Sequence, residues 1–281
     1  MDKKFIKQIN LALKKYLPKD NLSLSKAMRY SVMAKGKRFR PYLCLEAAKL
    51  FTSKLETVIP AACTLEMIHT FTLIHDDLPA MDNSDLRRGK PTCHKVFGED
   101  IALLAGDALN TLAFEIIAKY CDPKKVAQVS ADLGNGLIKV VRGQVLDLES
   151  EDKKISLKTL KNIHLLKTAA LIESSLRIGA ILGGASSSDI EALSNYGRHL
   201  GLAFQIADDI LDVTAKSSDL GKPSGLDAVN KKSTYVSLLG LDKAKKMSYL
   251  ESQLAVKALN RFGNKAKALV ALAGFVVERG K

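Results

Sequence analysis

The amino-acid sequence predicts an all-α protein in which residues 1–281 form a single large helical domain. Apolar residues recur at helical spacing, as in the segments 5–17 and 103–114. The chain has only 18 glycines and 7 prolines, which is few for a fold built from many short strands. No Pro/Gly/Ser-rich stretch separates two differently composed halves. We therefore expect helices packed around one core.

Residues that favour helix ends mark several boundaries. Pro60 suits a first helical turn, and Ser188 and Glu191 have the spacing of a capping box. Asp242 is expected to cap the helix that follows Gly240. We expect about ten helices. The connecting loops are expected near residues 17–22, 35–39, 83–93, 120–124, 150–156, 184–188 and 216–233.

Cysteine usage and the N-terminal residues indicate a cytoplasmic protein. The four cysteines lie far apart and form no CxxC pair, which argues against a zinc cluster and a disulfide framework. Residues 1–17 interrupt their apolar positions with Lys and Gln, unlike a signal peptide. The longest apolar stretch, residues 268–277, is roughly half of what a membrane span needs. We expect no membrane insertion.

The charge balance is basic but does not identify a partner. The 43 Lys and Arg exceed the 30 Asp and Glu by a net charge of +13. Much of this excess stands in doublets such as Lys14-Lys15 and Lys245-Lys246, which usually form solvated helix faces. An anionic substrate is the other use of such an excess, and charge alone does not choose between them.

Two clusters of carboxylates interrupt apolar helical sequence: Asp76, Asp77 and Asp82 in the first, and Asp208, Asp209 and Asp212 in the second. Buried carboxylates are too costly to retain without a cation. Oxygen ligands with no nearby cysteine select hard ions, and Mg²⁺ keeps several waters and bridges to substrate phosphates. The two clusters therefore predict a Mg²⁺ site.

Helical geometry brings each cluster onto one side. At about 100° per residue, Asp208, Asp209 and Asp212 share one face within a single turn. In the first cluster, Asp82 would point away from Asp76 if the helix ran on. Pro79 cannot continue the helical hydrogen bonds, so we expect a kink or an early stop that returns Asp82 towards Asp76.

Basic residues near these clusters predict a diphosphate site. His69 lies about 20° from Asp76 on a helix, two turns back, whereas His75 points aside. There is no GxxxxGK[ST] or GxGxxG motif, so a nucleotide-binding loop is not supported. The basic residues stand in four segments that loops or helix ends could bring to the two acidic clusters. These segments are Gly36–Pro41, Arg87–Lys90, Lys167–Thr168 and Gly221–Lys222.

Six ordered motifs carry a resemblance to a known family. They are GKRFRP (36–41), HDDLPAMDNSDLRRGKPT (75–92), GQVLD (143–147), HLLKTAAL (164–171), FQIADDILD (204–212) and LGKPSGLD (220–227). With them the sequence resembles the short-chain trans-polyprenyl diphosphate synthases, most closely the bacterial farnesyl diphosphate synthases, with plant-type geranylgeranyl synthases next. Ser84 and Val236 depart from the family pattern, but neither is a carried-over ligand.

The resemblance implies a role for each matched residue. The metal ligands, around three Mg²⁺ ions, would be Asp76, Asp77, Asp82, Asp208, Asp209 and Asp212. The allylic diphosphate would be held by Arg87, Lys167, Thr168, Gln205 and Lys222. Isopentenyl diphosphate would be held without metal by Lys37, Arg40, His69 and Arg88. The resemblance also implies the isoprenoid synthase fold, with helices around a central active-site cavity, and a homodimer. The groups expected to be catalytic are Asp76, Asp77, Asp82, Asp208, Asp209, Lys167 and Arg87.

Product length is predicted from the residues before the first acidic cluster. Phe71 and Thr72 lie about one turn or more deeper than Asp76 along the same helix, where a growing chain would extend. Core packing explains Phe71 equally well on periodicity alone. An aromatic residue here resembles the farnesyl-forming pattern, so we expect a fifteen-carbon product, with geranylgeranyl diphosphate as the alternative.

Other function classes explain less of the sequence. A nucleic-acid-binding helical protein would account for the net charge, but it gives no reason for two buried acidic trios, so we expect no nucleic-acid partner. An HD-type phosphohydrolase would use His75-Asp76 with His69, and would need further ligands from His94, His164 or His199. A terpene cyclase shares the first cluster but usually lacks a second trio of aspartates. A catalytically silent partner subunit is not expected, because both trios and the basic set are intact.

Overall fold

The computed structural model describes residues 3–214 and 233–278. It confirms the predicted all-α class. The helices are α1 (Lys3–Tyr16), α2 (Ser23–Val32), α3 (Phe39–Lys49), α4 (Ile59–Asp76), α5 (Cys93–Phe97), α6 (Glu99–Tyr120), α7 (Val126–Glu149), α8 (Leu157–His164), α9 (Ala170–Gly183), α10 (Ser187–Thr214), α11 (Tyr235–Leu239), α12 (Leu241–Ala258) and α13 (Lys267–Glu278). The loop expected near 216–233 lies almost entirely outside the described residues.

Short elements connect the helices at four places. Within the expected loop 83–93, β1 (Leu86–Arg87) and β2 (Lys90–Pro91) form an antiparallel ladder. Residues Leu165–Ala169 form a π-helical turn between α8 and α9. Two 3₁₀ helices, Leu55–Thr57 and Asn260–Ala266, precede α4 and α13.

Two of the expected caps are wrong in detail. The hydroxyl of Ser186 accepts from the backbone N–H of Asp189 at 3.3 Å and donates to its carboxylate, so the cap of α10 lies two residues before the predicted Ser188–Glu191 box. Asp242 lies inside the first turn of α12, where its charge favours the helix N-terminus, while Gly240 occupies the capping position. Pro60 lies in the first turn of α4, as predicted.

Helix α9 occupies the middle of the fold, in contact with α3, α4, α7 and α10. Helix α4 packs on α6, and α10 packs on α12. Most buried apolar side chains form one continuous cluster that draws on these helices. All four cysteines are buried free thiols within it or at its edge. The two acidic motifs thus lie on α4 and α10, helices that flank α9.

Helix α6 is long and apolar enough to cross a membrane by length and composition alone. One face of it packs against α4, which accounts for part of that apolar character. The other face is exposed: Leu103 is 46% and Leu104 52% accessible, and α7 exposes Ile138, Val141 and Val145. Helices α6 and α7 therefore share an uncovered apolar face in the single chain.

Candidate active site

The first acidic motif is formed by the C-terminal end of α4 and the turn after it. The helix ends at Asp76, and the backbone N–H of Asp82 donates to the Asp76 carbonyl at 2.9 Å. Ser84 closes the same turn by donating to the Asp77 carbonyl at 3.2 Å. The helix therefore ends three residues before Pro79, and the turn brings Asp82 back towards Asp76, as the sequence predicts.

The carboxylates of this motif have different surroundings. Burial, together with the nearby Asp82 and Asp77, raises the pKa of Asp76 to about 6 against the opposing charges of Lys167 and Arg87. Asp77 is buried and accepts two hydrogen bonds from Arg87 Nε, at 3.0 and 3.2 Å, and one from the guanidinium Nη2. Asp82 is exposed on the turn. Asp77 is therefore neutralised by Arg87, whereas the cations near Asp76 do not fully offset the cost of burying its charge.

The second acidic motif lies on α10. Asp209 and Asp212 are buried and Asp208 is half-buried. One oxygen of Asp209 accepts from the backbone N–H of Tyr235 at 2.8 Å, and the other accepts from Gln205 Nε2 at 3.3 Å. Asp209 therefore also holds the first residue of α11 by a hydrogen bond. Its position in the acidic motif did not predict this structural role.

Between the motifs lies the π-helical turn that carries Lys167 and Thr168. The Lys167 ammonium donates to Asp147 at 2.6 Å, and the Thr168 hydroxyl donates to Gln205 at 3.0 Å. Since Gln205 bonds Asp209, a chain of side-chain contacts links this turn to the second motif. A π-helical turn widens the helix by one residue and often occurs at functional sites. The turn thereby presents both side chains to the space between α4 and α10.

The residues expected to bind isopentenyl diphosphate line one cavity of about 320 Å³: Lys37, Arg40, His69 and Arg88. Burial, together with the neighbouring Arg88, lowers the pKa of Arg40 to about 10 against the opposing charge of Glu66. Burial and the surrounding arginines hold the pKa of His69 well below its usual value. Arg40 Nε is buried with no hydrogen-bond partner. A cavity with this excess of positive charge suits an anion.

A second cavity, of about 560 Å³, lies below the first motif. Its polar lining includes Asp76, Lys167 and Thr168, with Arg40 and His69 shared with the first cavity, while Phe71 and Thr72 lie on its α4 wall. The Thr72 hydroxyl donates to the His69 carbonyl at 2.9 Å, so this side chain offers mainly its methyl group. Further lining, mostly apolar, comes from α6 and α7: Leu103, Val140, Val141, Gln144, Val145 and Leu148. An extended hydrocarbon fits this chamber.

The donor set fits Mg²⁺ shared with a substrate. Among residues 3–214 and 233–278, no three His, Cys, Asp or Glu side chains lie close enough to hold an ion by themselves. Carboxylates at the end of α4 and on α10, both beside Lys167 and with Asp76 under-compensated, instead suit ions that also bind diphosphate oxygens. Lys222, which the sequence assigned to the allylic diphosphate, lies outside the described residues.

The histidines do not support the phosphohydrolase alternative. The His75 ring lies against Phe71 and its Nε2 against the Leu103 carbonyl at 3.0 Å. His199 pairs with Glu251 at 2.6 Å, away from the acidic motifs on the α12 side of α10. These histidines serve packing and ion pairing, and no metal cluster forms around them in the described part of the chain.

Sequence reasoning missed two ion pairs beside the site. Asp147, the partner of Lys167, belongs to the GQVLD motif, for which the sequence predicted no function in the site. Arg38, between the predicted Lys37 and Arg40, instead pairs with Glu66 at 2.6 Å, both fully inside the protein. The lone glutamate in the apolar α4 sequence was the available signal for that pair.

Comparisons with known proteins agree with this geometry. The family model "Polyprenyl synthetase" matches residues 21–272. A chloroplastic geranylgeranyl pyrophosphate synthase from Capsicum annuum is 49% identical over 263 residues, covering 91% of this chain and 71% of that one. The crystal structure of an FPP/GFPP synthase from Zymomonas mobilis has a TM-score of 0.86 at 37% identity, covering 98% of this chain and 96% of that one.

A geranyltransferase from Helicobacter pylori, solved with magnesium and isoprenyl diphosphate, has a TM-score of 0.86 at 31% identity, covering 98% of this chain and 94% of that one. The expected closer likeness to bacterial farnesyl synthases is not supported, since the curated relatives at 45–49% identity are named as geranylgeranyl synthases. The acidic motifs, the basic cavity and the apolar chamber are thus those of an all-α prenyltransferase, and the chain belongs to the polyprenyl synthetase family.

Proposed function

We propose that this enzyme condenses isopentenyl diphosphate with allylic diphosphates to give geranylgeranyl diphosphate as its main product. The observation that carries this proposal is the chamber of about 560 Å³ below Asp76, which is lined by Phe71 together with side chains of α6 and α7. The names of the curated relatives favour the same product. This replaces the farnesyl product expected from Phe71 alone.

In the proposed reaction, the carbon–oxygen bond of the allylic diphosphate ionises between the two acidic motifs. Mg²⁺, which we propose in three copies, would neutralise the charge that builds on the leaving diphosphate. The Lys167 ammonium, which donates to Asp147 in the free enzyme, would donate to a diphosphate oxygen instead. Arg87, which pairs with Asp77 in the free enzyme, would bind the same diphosphate. Lys222 is proposed as a further cation from the sequence resemblance.

The allylic cation is protected from water by the apolar chamber. The Thr168 hydroxyl and the Gln205 amide oxygen offer dipoles to the positive carbon. Isopentenyl diphosphate, held by Lys37, Arg40, His69 and Arg88, directs its double bond at that carbon. The new bond forms, and the proton that is lost passes to the departed diphosphate, so no separate protein base is needed.

A farnesyl diphosphate synthase is the second candidate. Phe71 lies on the chamber wall and its ring packs edge-on against His75, with ring centroids 5.0 Å apart. A ring held in this position restricts the depth available to a growing chain. The names of several structural relatives, among them a putative farnesyl-diphosphate synthase from Marinomonas, favour this candidate.

Product analysis decides between the two candidates. The enzyme is given dimethylallyl and isopentenyl diphosphates with Mg²⁺, and the products are dephosphorylated and separated by chromatography. We expect mainly the twenty-carbon alcohol, and no chain elongation when Mg²⁺ is removed by a chelator. A dominant fifteen-carbon alcohol would establish the farnesyl candidate instead. Release of phosphate without elongation would contradict both.

Truncation of Phe71 is expected to lengthen the product. Phe71→Ala removes a ring from the chamber wall, and the vacated volume admits at least one more isoprene unit. The measurement is the chain-length distribution of the same assay. Phe5→Ala serves as the control, because Phe5 is a partly buried aromatic residue of α1 that does not line the chamber. An unchanged distribution for Phe71→Ala would remove this side chain from chain-length control.

We also propose that the enzyme is a homodimer formed through the apolar face of α6 and α7. Val141 and Val145 are each 48% accessible in the single chain although they line the substrate chamber. A second copy would cover them and close the chamber to water. The further proposals from the sequence are a cytoplasmic location, no membrane insertion, no nucleic-acid partner and a single domain over residues 1–281.

A further inference from the structure

The π-helical turn that carries Lys167 and Thr168 is held between two neighbouring helices at two glycines. Gly143 lies on α7 and Gly201 on α10, on either side of the turn Leu165–Ala169. Both α7 and α10 contact the turn directly. The turn itself is wider than a regular helix and lacks its hydrogen-bond pattern, so its position depends on these flanking helices.

At Gly143 the two backbones approach so closely that no side chain fits. A Cβ built on Gly143 would lie 2.7 Å from Lys167 Cα and 2.8 Å from the Leu166 carbonyl carbon, and closer still to the Lys167 nitrogen. These are backbone atoms, which cannot rotate out of the way as the end of a side chain can. The obstructed backbone is that of a residue proposed to bind the allylic diphosphate.

At Gly201 the turn meets the same restriction from the opposite side. A Cβ there would lie 2.6 Å from Ala169 Cα and closer still to Ala169 Cβ. Ala169 is fully buried and directly follows Thr168. The hydroxyl of Thr168 bonds Gln205, one turn along α10 from Gly201, so a shift of the turn would also move this contact.

Close approach is not a feature of every glycine of α7. Gly134 lies on the same helix, and a Cβ built on it would meet no atom within 4 Å. Glycine in a helix interior is less favourable than alanine because it loses more conformational freedom on folding. The absence of a side chain at Gly143 is therefore needed for the position of the turn and not for the conformation of α7.

We propose that Gly143 and Gly201 are positioning residues that hold the Lys167–Thr168 turn at the distance from the acidic motifs that ionisation requires. This inference rests on the prenyl transfer reaction proposed above but not on the length of its product. Neither glycine touches substrate. Their effect passes through the backbone of the turn, where a displacement of a fraction of an ångström misaligns groups that stabilise developing charge.

The test compares Gly143→Ala and Gly201→Ala with Gly134→Ala as the matched control. Steady-state kinetics are measured with each substrate varied in turn. We expect kcat to fall at least about tenfold in the first two variants, because the stabilising groups are displaced. The KM for isopentenyl diphosphate is expected to stay within about twofold, since none of Lys37, Arg40, His69 and Arg88 belongs to the turn or to the two helices that hold it. Gly134→Ala is expected to retain the parent kcat.

A second measurement separates this inference from the reaction itself. Binding of inorganic diphosphate with Mg²⁺, measured by calorimetry, is expected to weaken about tenfold in Gly143→Ala and to stay unchanged in Gly134→Ala. Failure of the parent enzyme to elongate any substrate would contradict the proposed function while leaving this binding comparison valid. Three outcomes overturn the positioning role: parent-like kcat and binding in Gly143→Ala, an equal rise of KM for isopentenyl diphosphate, or loss of folded structure by circular dichroism.

Discussion

Replacement of Asp208 by alanine is expected to lower kcat at least about 100-fold. The residue is half-buried on α10 and belongs to the second acidic motif. Loss of its carboxylate removes a ligand for the ions that neutralise the leaving diphosphate. The additional negative charge on this group develops as the carbon–oxygen bond breaks in the transition state. The effect should therefore appear in kcat, together with a higher Mg²⁺ concentration at half-maximal rate.

Asp242→Ala is the control for Asp208→Ala. Asp242 is an exposed aspartate in the first turn of α12, outside both motifs, so its loss is expected to leave kcat unchanged. Circular dichroism of both variants verifies that the fold is retained. An Asp208→Ala enzyme with more than about a tenth of the parent kcat at saturating Mg²⁺ would show that Asp208 is not a metal ligand in the rate-limiting step.

Substitution of Glu66 by glutamine is expected to lower the free energy of unfolding by about 3 kcal/mol. The Glu66 and Arg38 side chains are 2% and 3% exposed, with 2.6 Å between their charged atoms. Arg38 also donates to Asn10 and to the Ala34 carbonyl, so the guanidinium cannot leave its position. Without the carboxylate, its charge stays buried and uncompensated.

The measurement for Glu66→Gln is urea unfolding at a fixed protein concentration, because subunit association would add to apparent stability. Asp85→Asn is the control, since Asp85 forms an exposed ion pair with Lys95 at 2.8 Å and its loss should change stability by less than about 1 kcal/mol. Equal, small changes in the two variants would mean that the Arg38–Glu66 pair contributes no more than a surface pair.

The basic cavity depends on the same glutamate. Glu66 opposes the lowering of pKa that burial imposes on Arg40 and on Arg88. It is the acidic residue that lines the cavity in the described part of the chain. One carboxylate among several cations leaves a positive excess, which favours a bound anion over an empty cavity. Glu66 thus offsets part of the buried positive charge, and the charge that remains favours binding of an anion.

Sequence alone determined the features that depend on local spacing. Helical periodicity gave the all-α class, and three aspartates within one turn had to share a face of α10. Pro79 predicted the end of α4 and the return of Asp82, because proline lacks the N–H that would continue the helix. The motif order also identified the family. These features follow from bonds within one element or from a pattern printed in the chain.

Tertiary structure decided the features that depend on packing between elements. The π-helical turn, the approach of Gly143 to Lys167 and the Lys167–Asp147 pair join segments that no local pattern relates. The lining of the chamber likewise comes from α6 and α7 together with Phe71, so the residue type at position 71 alone does not describe the space available to a product. Contacts between distant segments depend on how whole helices pack, and this packing is a collective property of the buried side chains.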